Sequence, residues 1–196
     1  MANKRIYGKI GAPEAIKIPL LAYEYAVRVV RGRWYQAELT IMTDPFTAYE
    51  YARNVINGRW HEAEPYIMKD PKWACRYAQY VIRGRWPEAE SFESGVMKAP
   101  YWACRYAQYV IRGRWPEAEP CIMTDPQLAC DYAEDLIRGR WSEAEPYVMK
   151  DPKFAYYYAK HVIKGRWPEA EPYIMKDPFM AYFYARHYND FLSTLS

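Results

Sequence analysis

Histidine is scarce in this chain of 196 residues, which has only His61, His161 and His187. None has a Ser, a Cys or a second His at catalytic spacing, so no activated nucleophile is readable. Cysteine is nearly as thin, at four. No Cys-x-x-Cys pair exists to hold zinc. Cys75, Cys104 and Cys130 recur at one register. Neighbouring helices stand about 8–10 Å apart, too far for an easy disulfide, so reduced thiols are expected. A Gly-rich phosphate loop is missing as well. These absences leave no catalytic residue, no metal site and no cofactor to name, and the chain is expected not to be an enzyme.

Long apolar runs are also absent. Mean hydropathy is −0.50, and nothing approaches the roughly 18 residues that a membrane span requires. The opening Met-Ala-Asn-Lys-Arg-Ile-Tyr is basic with no apolar stretch behind it, so a secretory signal is not expected. Neither sign of charge dominates. The 27 basic and 24 acidic side chains leave +3, too little to mark a nucleic-acid binder by itself.

Aromatic residues are plentiful: 21 Tyr and 8 Trp bring them to 18% of the chain, inside an apolar share of 51%. That is enough to bury a core, and it excludes a disordered tail or a collagen-like fibre. The aromatics recur on a period. Gly-Arg-Trp occurs six times, with Trp at 34, 60, 86, 115, 141 and 167, spaced 26, 26, 29, 26 and 26. The long interval holds three extra residues within Ser91-Phe92-Glu93-Ser94-Gly95, and residues 73–90 and 102–119 are identical. A fixed period of this size is the signature of a repeat architecture.

Each unit reads as two helices. In Asp70-Pro71-Lys72-Trp73, Asp is a preferred N-cap and Pro is favoured at the first helical position. Gly84 reads as the C-cap, with the positive φ that glycine accepts. Between them Ala74, Tyr77, Ala78, Val81 and Ile82 form the apolar stripe of an amphipathic helix. Asp-Pro recurs at 44, 125, 151 and 177. The second helix, around Glu64-Pro65-Tyr66-Ile67, reads as roughly two turns, with its proline in the first turn.

Neither helix can bury its face alone, so neighbouring units must stack. The fold class that follows is all-α, a right-handed α-solenoid with two helices per repeat and a 26-residue period. Residues 1–17 read as an amino-terminal arm and capping helix, 18–176 as six repeats, and 177–196 as a carboxy-terminal capping helix running over 178–192.

Constant positions read as structure. Ala74, Tyr77 and Ala78 suit an inter-repeat core, and the Trp suits a wedge between units. A Glu follows each Trp by four residues, beside a constant Arg (Arg59 and Glu64, Arg114 and Glu119), which predicts a charge ladder. The Met row, from Met42 to Met175, reads as core filler.

The informative positions are those that vary. Opposite the core stripe they include Arg76, Gln79 and Tyr80; Arg105, Gln108 and Tyr109; Asp131, Glu134 and Asp135; and Tyr157, Lys160 and His161. At spacings i, i+3 and i+4 each trio shares one helical face. Aromatics and Arg there are the side chains that anchor interfaces. An acidic centre suits a mixed-charge protein surface better than a continuous phosphate backbone. A protein partner is therefore expected through these twelve residues. The alternatives are an RNA or single-strand groove built on the Arg and Trp rows, and a scaffold in which units stack between chains by self-association.

The units Gly-Arg-Trp-Pro-Glu-Ala-Glu-Pro-Tyr-Ile-Met-Lys-Asp-Pro and Tyr-Ala-Lys-His-Val-Ile-Lys-Gly-Arg-Trp resemble a short repeat of bacteriophage proteins over about residues 18–192. In architecture they are similar to tetratricopeptide-type solenoids, although the period is shorter and the Trp-x-x-Leu-Gly pattern is absent. The resemblance implies a phage protein in the bacterial cytoplasm, acting on a host defence or regulatory protein, and supplies no catalytic residue.

Overall fold

A computed structural model describes residues 11–91 and 95–188. Among them every regular element is helical and no strand occurs. The chain divides into two compact units, Met1–Trp102 and Ala103–Ser196.

Long helices open at Pro19, Pro45, Pro71, Pro100, Pro126, Pro152 and Pro178. Five of these follow an aspartate whose side chain caps the first turn. Asp70 accepts from the Lys72 amide at 2.9 Å, and Asp177 from the Phe179 and Met180 amides at 2.8 and 3.0 Å. The cap satisfies amides that have no partner inside the helix, and proline fills a position where no amide is needed. The start signals in the sequence therefore mark the starts in the structure.

The ends differ from expectation. Each long helix before the last finishes in one π-helical turn, as in Ala78–Ile82 after Pro71–Tyr77. The chain then leaves through a left-handed residue that is not glycine: Arg31, Asn57, Arg83, Arg112, Arg138 and Lys164 all have φ between 57° and 61°. Among the described residues no glycine has a positive φ, so the glycine C-cap reading is corrected by one position. Two amides converge on one carbonyl there, Arg112 N at 2.7 Å and Gly113 N at 3.3 Å from Ala107 O. Inside the widened turn the positions no longer follow a 3.6 period. Val81 and Ile82, which lie in it, are only half-buried, and Cys75, outside the expected stripe, is buried.

The second helix of a unit is also shorter than expected. Glu64–Ile67, Glu119–Ile122, Glu145–Val148 and Glu171–Ile174 are single turns with Pro in the first positions. Without a proline, the first such element extends over Tyr35–Ile41. Ahead of it, Ala12–Ala15 forms the expected leading fragment, and the last long helix runs Pro178–His187. Residues 189–192 of the expected capping helix lie outside the described residues.

The long interval replaces the short helix by two 3₁₀ turns, Pro87–Ala89 and Val96–Lys98. Gly95 is required there: a Cβ would fall 1.9 Å from the Ala89 carbonyl oxygen.

Within the first unit the long helices opening at Pro19, Pro45 and Pro71 pack in succession, and within the second those opening at Pro126, Pro152 and Pro178. The core between them is built from the constant residues. Ala48, Tyr51, Ala74, Tyr77, Ala129, Tyr132, Ala155 and Tyr158 are all fully buried. Small Ala allows close approach of the helices, and Tyr supplies buried area. Met42 and Met97 are buried, whereas Met68, Met123, Met149 and Met175 are half-buried.

Candidate docking face

The constant polar residues are used up inside the repeat. Arg114 donates Nε and Nη2 to the two oxygens of Glu119, both at 2.8 Å. Arg33, Arg59, Arg85, Arg140 and Arg166 hold Glu38, Glu64, Glu90, Glu145 and Glu171 by the same two-pronged contact. A tyrosine of the following long helix completes the link. The Tyr132 hydroxyl accepts from the Trp115 amide at 2.6 Å and donates to Glu119 at 3.2 Å. Tyr51, Tyr77, Tyr158 and Tyr184 repeat this with Trp34, Trp60, Trp141 and Trp167. The expected charge ladder is thus a set of separate Arg–Glu links, each tied to a tyrosine of the following long helix. Burial pushes the Glu64 carboxyl up, but the Arg59 fork, with Tyr77 and His61, brings it below its ordinary value. The tyrosines move the other way: burial, reinforced by the nearby Glu, raises Tyr51 and Tyr184 to about 12.

The tryptophans are wedges. Trp60, Trp86, Trp115, Trp141 and Trp167 are 1–2% exposed, and Trp115 and Trp141 tilt against Tyr106 and Tyr132 with ring centroids 5.0 Å apart. Their faces are covered, so no base can stack on them.

None of the twelve variable residues is buried. In the first unit Arg76 is exposed, Gln79 half-buried and Tyr80 43% exposed. The Arg53 guanidinium lies 4.9 Å from the centre of the Tyr80 ring, and Arg53 also donates to the Tyr49 hydroxyl. Arg76 lies over Trp73 at 5.6 Å.

The second unit draws its variable residues into one network. Arg105 donates to Gln108 at 3.1 Å and to the Tyr109 hydroxyl at 2.9 Å. Gln108 donates to Asp135 at 3.4 Å. The Tyr157 hydroxyl donates to Glu134 at 3.3 Å, the Tyr157 and His161 rings stack at 4.2 Å, and His161 Nδ1 lies 3.7 Å from Glu134. Lys160 sits apart, over Tyr156 at 5.9 Å. Burial, then the charges of Asp135 and Glu134, push the Asp131 carboxyl up against the pull of Arg105.

Beside this network lies a depression of about 400 Å³ lined by Glu134, Asp135, Arg138, His161, Val162 and Lys164. Arg138 and Lys164 are left-handed cap residues. A cap expected on the glycine does not single out the residue before it, so the sequence does not mark Arg138 and Lys164 as walls of a hollow.

Among the described residues no three of His, Cys, Asp and Glu are placed to hold a metal ion, and no helix is long and apolar enough to cross a membrane. Burial pushes the Cys104 thiol up to about 11 and the Cys130 thiol further, helped by Asp131. A thiol kept protonated is a poor nucleophile. The variable positions present aromatic rings, arginines and carboxylates. Compared with known proteins, the chain matches no family model, no curated protein and no solved structure.

Proposed function

We propose that this helical repeat is a non-enzymatic, right-handed α-solenoid that docks a protein partner through the variable positions of its long helices. The observation that carries the reading is the division of labour between positions. The constant Arg, Glu and Tyr side chains bond to one another and to the Trp backbone amide, while Tyr80 and Tyr109 remain 43% and 40% exposed beside arginines. Aromatics with Arg are favoured interface anchors, and rings already held by neighbours lose little side-chain freedom on binding. The acidic Asp131, Glu134 and Asp135 favour a partner of mixed charge over a phosphate backbone. On the resemblance of its repeats to bacteriophage sequences, the proposed partner is a host defence or regulatory protein in the bacterial cytoplasm.

The test is capture from a bacterial lysate, with and without nuclease, comparing wild type with a Tyr80→Ala/Tyr109→Ala variant. Melting should stay within about 0.5 kcal/mol of wild type, as exposed substitutions do. Affinity for the captured protein should fall by at least about tenfold, as at interface anchors. Capture that disappears with nuclease, and strengthens when Asp131, Glu134 and Asp135 are changed to Lys, would make the partner a nucleic acid instead.

A further inference from the structure

A repeat that buries its face against a neighbour leaves one face uncovered at each end of a run. The internal contacts give the register of that face, counted from the proline that opens each long helix. The first and fourth residues pack on the second residue of the next long helix. Phe46 and Tyr49 lie 4.8 and 5.6 Å from Trp73, and the Cys130 thiol donates to the Phe154 carbonyl. The fourth residue also reaches the sixth, as Tyr156 reaches Tyr184 at 6.3 Å. The eighth meets the fifth and the ninth, as Glu134 meets Tyr157 and His161 and as Arg53 meets Tyr80. Covered in this way, Tyr49 and Cys130 are 0% exposed.

In the last long helix, Pro178–His187, the same register carries Phe179, Tyr182 and Arg186. Phe179 is 63% and Tyr182 58% exposed. Ala181 and Ala185 are half-buried, although their counterparts in the six earlier long helices are fully buried. This is a repeat-packing face without its next helix among the described residues. The first long helix offers the receiving register in Leu21, Glu24 and Tyr25, all half-buried. The six later counterparts of Tyr25 are 0% exposed.

We propose that copies of this chain associate head to tail, the last long helix of one seating on the first long helix of another in the register used inside each unit. That register sets Phe179 and Tyr182 against Leu21 and Tyr25, and Arg186 over Glu24 and Arg28, which already form an ion pair. The occupant is a second copy because the two ends carry the two complementary sides of the one register that recurs inside each unit, Phe179 and Tyr182 on the covering side and Leu21 and Tyr25 on the receiving side. Such a contact joins unlike surfaces, so it propagates into chains or closes into rings rather than stopping at a symmetric dimer. It uses the ends of the run and does not depend on the docking face proposed above.

Sedimentation of the full chain over a concentration series tests it. The mass of wild type should rise with concentration, and Tyr182→Glu should lower the association constant by at least about tenfold, the loss of one interface anchor. Leu21→Glu, on the receiving side, should weaken association likewise, and an equimolar mixture of the two Glu variants should recover it only as far as a dimer, because each keeps one intact end. Thermal melts of each variant check folding, and Tyr182→Glu, at an exposed site, carries the test if Leu21→Glu lowers the melt. A wild type that stays monomeric throughout would overturn the proposal. So would unchanged association of Tyr182→Glu, or a mixture of folded Glu variants that forms no dimer.

Discussion

At the residue scale, one hydroxyl ties neighbouring segments together. Tyr132 takes the Trp115 amide and gives its own proton to Glu119, which is itself only 7% exposed. Removing that oxygen strands a buried amide and one carboxylate bond at once, while the ring keeps its contact with Trp141. A buried donor left without an acceptor costs about 1–3 kcal/mol. Tyr132→Phe should therefore lower the denaturation midpoint, whereas Tyr147→Phe, at a ring 41% exposed, should stay within about 0.5 kcal/mol. Equal midpoints for the two variants would show that the hydroxyl is not the tie. The Arg–Glu fork is legible as a spacing of five residues, but the tyrosine that completes it lies thirteen residues beyond the Glu and seventeen beyond the Trp. No local pattern signals a bond over that distance.

At the element scale, helix starts are written in the sequence and helix ends are not. A cap of Asp followed by Pro acts through atoms two or three residues away, so spacing alone reveals it. The π turn has no such signature, and we have no physical account of why it forms at each of these Ala residues. Its consequence is that Arg83 rather than Gly84 adopts φ 61°. A left-handed conformation costs a residue with a Cβ roughly 1–2 kcal/mol, partly offset by the entropy that glycine loses. Arg83→Gly should therefore stabilise the protein by about 0.5–1 kcal/mol. Asn57→Gly should gain less, because Asn tolerates this region. Thermal denaturation of the two variants checks the order, and a loss of stability in Arg83→Gly would contradict the assignment of the cap.

At the scale of the whole molecule, the buried tyrosines set the response to alkali. Burial is the first cause of the upward shift in Tyr51, Tyr77, Tyr132, Tyr158 and Tyr184. With folded values above the ordinary 10.0, their contribution to stability is complete below that pH. It is lost as pH rises through the folded values. Unfolding should therefore set in between pH 10 and about 12, with tyrosinate absorbance and helical circular dichroism changing together. Tyrosinate forming with helicity intact would mean that these rings are open to water. On the acid side the sign reverses for Glu64, whose folded value is lowered. Its contribution is present above pH 4.5 and is lost as pH falls through the folded value.

The amino-acid sequence by itself determined the helical class, the 26-residue period and the helix starts, as well as which residues are constant and which vary. All of these are local or periodic properties, carried by neighbours within a turn or by simple recurrence. Tertiary packing decided what the variable residues do. It brought Glu134 to Tyr157 and His161, 23 and 27 residues further on. It also closed the hollow with Arg138 and Lys164 and left Tyr182 uncovered where Cys130 is buried. The reason is that a repeat has no core of its own. Which side chain meets which is set by the register between one long helix and the next, and that register joins residues more than twenty positions apart, beyond the reach of any local pattern.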